Sequence, residues 1–246
     1  MKIFKSIKIE ALLLLAVIII GVFSCKKSSV APVKKQVVLV NDSITKNGLT
    51  LIFINEDTTF QLKGDSIRRA YERTFFILYP EIMAYFNPNA PRKVIFKMDP
   101  GYDGIAGTVE SLASVSFDPS NSLAHPKDVN VIAHELTHVT QQYPSDNGAP
   151  WLTEGIADYA RNKFGLPGGF DGWYISDYKV GDIYTMGYTV AARFLLWAEA
   201  KYHRPMVQIL DKAMRDGTYN NDTTWQALTG STFDQLWNSY TENPYF

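Results

Sequence analysis

Val131-Ile-Ala-His134-Glu135-Leu-Thr-His138-Val139 places two imidazoles four residues apart, with a carboxylate directly after the first. On a helix, residues i and i+4 share a face, so His134 and His138 can present ring nitrogens to one ion. Glu135 lies about 100° round the same helix, where it can polarise a metal-bound water instead of ligating. Val131, Ile132, Ala133, Leu136 and Val139 make this helix apolar on most sides, hence buried. Two buried imidazoles require partners, and a zinc ion is the expected one.

A second helical pattern follows, Trp151-Leu-Thr-Glu154-Gly-Ile-Ala-Asp158-Tyr-Ala-Arg161, opening just past Pro150. Its carboxylates also stand at i and i+4. Glu154 is the expected third ligand, and Asp158, one turn on, is expected to accept an N–H from a ligating histidine. The reverse assignment, with Asp158 ligating and Glu154 supporting, stays open. A third histidine six residues beyond His138 is excluded, since Gln141 and Pro144 occupy the positions where Gly and His would stand. Thiolate ligation is excluded as well, because the one cysteine is Cys25. Two histidines and a carboxylate leave a coordination position open for water, which marks a catalytic site and not a structural one.

The chain resembles the basic secretory protein family of plant and bacterial peptidases, on HELTHVTQ at 134–141 and PWLTEGIADYAR at 150–161. The resemblance implies a gluzincin-like metallopeptidase, with His134, His138 and Glu154 as zinc ligands and Glu135 as general base. It implies a peptide or protein substrate. The basic character in the family's name is missing, since the formal net charge is −1. A zincin-scaffold lipoprotein that binds a protein or glycan partner, with weak or no catalysis, is the alternative; Glu135, needed for chemistry and not for binding, argues against it.

The expected fold is α+β and zincin-like: a small mixed sheet with an edge strand beside the metal helix, then a mainly helical C-terminal lobe. Leu49–Ile54 and Lys93–Met98 read as strands, and Asp65-Ser66 opens a long helix. Gly104–Phe117 reads as a turn and one or two short strands. Metallopeptidases of this type align an extended substrate on a sheet edge, and Ala113–Phe117, just before the metal helix, is the expected edge. Gly165–Gly181 is a Gly- and Tyr-rich loop suited to a cleft wall. Its Asp171 and Asp177, with Asp182, lack the spacing of a calcium loop. His125 and His203 read as helix boundaries. Pro205–Asp216 and Ser231–Thr241 read as closing helices.

Tyr184 and Tyr188 stand four apart, and either could direct a phenol at the oxyanion formed when water attacks a carbonyl. Tyr184-Thr-Met-Gly187 resembles the catalytic tyrosine segment of some gluzincin aminopeptidases, which favours Tyr184.

Lys2, Lys5 and Lys8 precede the 13 apolar residues Ala11–Phe23, too short for a comfortable span but suited to a secretion signal. Val22-Phe-Ser24-Cys25 resembles a bacterial lipobox, so residues 1–24 are expected to be removed and Cys25 lipidated. Residues 25–36 then form a flexible tether and 37–246 one catalytic domain, held at the bacterial cell envelope. Without residues 1–24 the chain has 21 basic against 24 acidic residues, which excludes a nucleic-acid-binding signature. A monomer is expected.

Overall fold

The computed structural model describes residues 40–144 and 149–246. Strand β1 (Val40–Lys46) turns at Asn47-Gly48 into β2 (Leu49–Asn55), and both turn residues take positive φ, 51° and 76°. Such a turn matches the twist of an antiparallel pair, which is what β1 and β2 form. Asp57 caps α1 (Thr58–Lys63) by accepting the Phe60 N–H at 2.6 Å. Helix α2 (Asp65–Tyr85) follows, burying Ile67, Tyr71, Phe75, Leu78 and Ile82 along one stripe.

Next come β3 (Lys93–Met98), β4 (Ala106–Val109) and β5 (Ser114–Phe117), then α3 (Pro119–Ala124), capped by the carboxylate of Asp118. The remaining chain is helical: α4 (Val131–Gln141), α5 (Pro150–Phe164), α6 (Tyr188–Tyr202), α7 (Met206–Arg215), α8 (Asn221–Thr229) and α9 (Phe233–Glu242). His125 and His203 terminate α3 and α6.

The sheet order is β1-β2-β3-β5-β4, with β2, β3 and β5 parallel and the two outer strands antiparallel to their neighbours. This is the small mixed sheet and helical C-terminal part expected from the sequence. The edge strand differs from expectation. Ala113–Phe117 is not the edge: β5 pairs with β3 on one side and β4 on the other. A 3-10 turn at Glu110–Leu112 and a left-handed Ala113 (φ 48°) reverse the chain, tucking β5 inside with Val115 and Phe117 fully buried. The sheet edge beside α4 (Val131–Gln141) is β4, which packs against that helix.

All eleven residues of α4 are buried. It is covered by β4 and β5, by α2 and by α5. Helices α5 and α6 meet at Gly155, where an added Cβ would stand 2.6 Å from the Cβ of Ala191. Glycine is therefore a packing requirement there. Behind them, Phe194 and Trp197 of α6 interlock with Trp225, Phe233, Trp237 and Tyr240 in an aromatic core. Among the described residues no helix is long and apolar enough to cross a membrane. The signal segment, Cys25 and the tether lie outside the described residues.

Candidate metal centre

Asn130 fixes the entry of α4. Its side chain exchanges two hydrogen bonds with the backbone of Leu166, at 2.8 and 2.9 Å, tying the loop after α5 to the start of the metal helix. Arg161 reinforces the tie, pairing with Asp128 and lying over the Trp173 ring at 4.3 Å.

One turn into α4, His134 and His138 point the same way, and α5 crosses so that Glu154 faces both. The two Nε2 atoms are 3.1 Å apart, and Glu154 Oε2 lies 3.3 and 3.5 Å from them. A tetrahedral zinc with bonds of ~2.1 Å has ligand atoms separated by about 3.4 Å, so these three donors already form one triangular face of that figure. Among the described residues no other cluster of three His, Cys, Asp or Glu side chains converges in this way. Asp171, Asp177 and Asp182 do not gather: they engage His125, Arg193 and the Lys179 backbone separately.

Each imidazole is oriented from behind. Asp158, 2 % exposed, lies 2.8 Å from His134 Nδ1, and Gln141 Oε1 lies 2.7 Å from His138 Nδ1. With Nδ1–H donating to these acceptors, Nε2 of each ring is left to face the shared point. Gln141 is itself held by donating to the Thr153 carbonyl at 2.9 Å. The carboxylates of α5 are thus divided by distance, Glu154 to the Nε2 side and Asp158 to the Nδ1 side. Gln141 was missed in the sequence, although its i+3 spacing from His138 is a signal that could have found it.

The site is electrostatically coupled. Burial alone would lower the His134 pKa, but hydrogen bonds accepted by Asp158 and Glu154 and the charge of Glu135 push it up to about 10. Burial would raise Glu154, yet both histidines hold it down at about 2.

Glu135 stands apart from the donor triangle. It is 3 % exposed, and its Oε2 accepts from the Thr108 hydroxyl at 2.7 Å. Thr108 belongs to the edge strand β4, so the sheet fixes the carboxylate on the β4 side of the helix. No local spacing links residues 108 and 135, and sequence reading did not find the pair.

The two tyrosines part company. The Tyr188 ring stacks parallel to His134, with centroids 6.1 Å apart and planes at 7°. Its φ is +44°, rare for an aromatic residue, and Gly187 before it has φ 66° and ψ −150°. The negative charge of Glu154, then burial, raises the phenol's pKa. Tyr184 packs instead on Trp151, Phe233 and Trp237, at centroid distances of 5.2, 4.7 and 5.7 Å. Among the described residues no hydrogen bond or ring contact joins it to the three donors.

A third phenol, Tyr102, approaches from the sheet side. It donates to the Ala106 carbonyl at 2.9 Å and lies so close over β4 that a Cβ at Gly107 would fall 1.9 Å from its oxygen. Burial, then the charges of Glu135 and Glu154, raise its pKa. Exposed apolar side chains include Ile105, Val109 and Leu112, in and around β4, and Ile183, Met186 and Tyr188, around the 3-10 turn at Tyr184–Met186.

Residues 97–240 match the family model described as "Peptidase of plants and bacteria". No curated protein matches the chain. Among solved structures, an M1 zinc metallopeptidase from Deinococcus radiodurans, a mutant bound to a Tyr-Ser-Ala substrate, is similar at 13 % identity and a TM-score of 0.45. The match covers 84 % of this chain and 52 % of that one, so the chain spans about half the neighbour's length.

Proposed function

The chain belongs to the BSP family of peptidases of plants and bacteria, and on that premise we propose that it is a zincin-like zinc metallopeptidase. The observation that carries the reading is the convergence of His134 Nε2, His138 Nε2 and Glu154 Oε2 beside the Glu135 carboxylate. These three atoms would hold the zinc. When bound there, zinc supplies Lewis acidity, bringing the pKa of a coordinated water towards about 7 and polarising a carbonyl.

The protein's own groups do the rest. Glu135 takes the proton of the attacking water and delivers it to the departing amine. Thr108 keeps the carboxylate turned towards that water. Tyr188, held over His134, offers its O–H to the oxygen that becomes negative as the tetrahedral centre forms. Asp158 and Gln141 keep the imidazoles in the ligating tautomer. A peptide laid along β4 would pair with the sheet edge next to α4.

The test is Glu135→Gln. It is expected to retain stoichiometric zinc and lose cleavage of a denatured-protein or peptide-library substrate, whereas Glu154→Gln should lose most of the zinc. An active Glu135→Gln protein would overturn the mechanism.

We propose further that residues 37–246 form the catalytic unit, that Cys25 is lipidated after removal of residues 1–24, and that the unit is thereby held at the bacterial cell envelope. Metabolic labelling with a radiolabelled fatty acid, present in the wild type and absent in Cys25→Ser, is the expected result. Equal labelling of both would refute it.

A further inference from the structure

A cleft of about 580 Å³ is lined, among others, by Thr108, Val109, Glu110, Tyr143, Pro144 and Thr153. Thr108 holds the base Glu135, and Thr153 precedes the ligand Glu154, so the cleft adjoins the elements that carry the reaction centre. Among the described lining residues its one carboxylate, Glu110, has no part in the chemistry above.

Glu110 is held in place. It begins the 3-10 turn after β4, and its carbonyl accepts from Ala113 N–H at 3.0 Å and from Gln142 Nε2 at 3.2 Å. Gln142 in turn spans to the Val139 carbonyl at the end of α4, at 3.1 Å. The turn therefore cannot drift from the metal helix. Its carboxylate is half-buried and accepts a hydrogen bond from the Tyr143 backbone N–H. Among the described residues no lysine or arginine pairs with it. Burial pushes its carboxyl up, and the charge of Glu154 adds to that, against the pull of His138.

A half-desolvated anion without a counter-charge is a cost to the fold, and one amide hydrogen bond returns only part of it. Such a group, rigidly mounted in an open cleft, is suited to a cation arriving from outside. We propose that Glu110 receives a positively charged group of the substrate, an ammonium or a guanidinium, while Val109, Tyr143 and Pro144 flank its aliphatic stem. The inference rests on the peptidase reading and adds a substrate class to it. A peptide's α-amine and a lysine or arginine side chain offer the same chemistry, and the assay below distinguishes them.

Zinc-loaded full-length protein is assayed on fluorogenic peptides of one core sequence in four forms: free α-amine with norleucine, acetylated with lysine, acetylated with arginine, and acetylated with norleucine. At least one cationic form is expected to exceed the neutral one about tenfold in kcat/KM, mainly through KM, as one charge-assisted hydrogen bond allows. In Glu110→Gln that ratio should fall towards one. Zinc content and melting temperature serve as the folding control. The form preferred identifies the source of the cation.

Equal rates on all four peptides, or a proportional loss on all four in Glu110→Gln, overturn the proposal and leave the peptidase reading intact. If no peptide is cleaved, calorimetric titration with arginine amide decides. Binding that Glu110→Gln abolishes supports the cationic subsite while the peptidase reading falls, and absence of binding overturns the subsite as well.

Discussion

Replacing Asp158 isolates how much of the metal site resides behind the ligands. The carboxylate is 2 % exposed and meets His134 Nδ1 at 2.8 Å. Asp158→Ala leaves a buried ring N–H without an acceptor, a loss of about 1–3 kcal/mol. It also frees His134 to rotate away from the donor triangle. Together these should weaken zinc binding about 10- to 100-fold, or about 1.4–2.8 kcal/mol. Asp158→Asn keeps an acceptor oxygen but not the charge, and should fall at the lower end of that range. The assay is competition for zinc against a chromophoric chelator at fixed pH, with melting curves recorded in parallel. At saturating zinc the gain in stability over the chelated protein should shrink by the same free energy, since ligand stabilisation follows RT ln(1 + [L]/Kd). A zinc affinity within about twofold of wild type in Asp158→Ala would refute the reasoning, because a lost orienting bond is worth at least about tenfold.

Four further outcomes are expected. Thr108→Val, nearly isosteric, should lower kcat about tenfold with little change in KM, and Thr108→Ser should restore it, as steady-state kinetics would show; an unaltered kcat would remove Thr108 from the mechanism. Tyr188→Phe should keep its zinc and lose about 100-fold in kcat, and a larger loss in Tyr184→Phe would return the oxyanion role to that residue. In chelator-treated protein, His134 has a raised pKa, so its contribution is complete below 6.5 and fades as pH rises through about 10; Glu154, lowered to about 2, contributes fully above 4.5 and fades as pH falls through about 2. Melting temperatures across that range should show both losses, and zinc should remove the alkaline one by displacing the imidazolium proton. Gly155→Ala should cost about 1–3 kcal/mol through its clash with Ala191, and Gly155→Ala with Ala191→Gly should recover part of that in denaturant melts.

The donor set was legible because its members are local. His134 with His138, and Glu154 with Asp158, repeat at i and i+4, and that spacing survives any tertiary arrangement. What lay hidden is what the tertiary arrangement supplies. Thr108 reaches Glu135 from a strand, Tyr102 approaches across β4, and neither offers a period to read. The edge strand was misread for a related reason: Ser114-Val-Ser-Phe117 alternates like a half-exposed strand, but β4 covers its outer side. Nor could the Tyr184/Tyr188 pair be resolved by spacing, since the backbone at Gly187 decides which ring turns towards the histidines. Strand β1 escaped notice because Val40–Lys46 is polar, taking its order from pairing with β2 and not from burying a face.

The bare contact between Gly155 and Ala191 has a mechanical corollary. The carboxylate that faces both histidines, Glu154, and the phenol stacked on His134, Tyr188, sit near the contact point of two helices that touch almost backbone to backbone. Little compliant side-chain matter lies between them to absorb relative sliding. Any breathing of the cleft must carry that acid and that phenol together as one jaw, with β4 and Tyr102 forming the other.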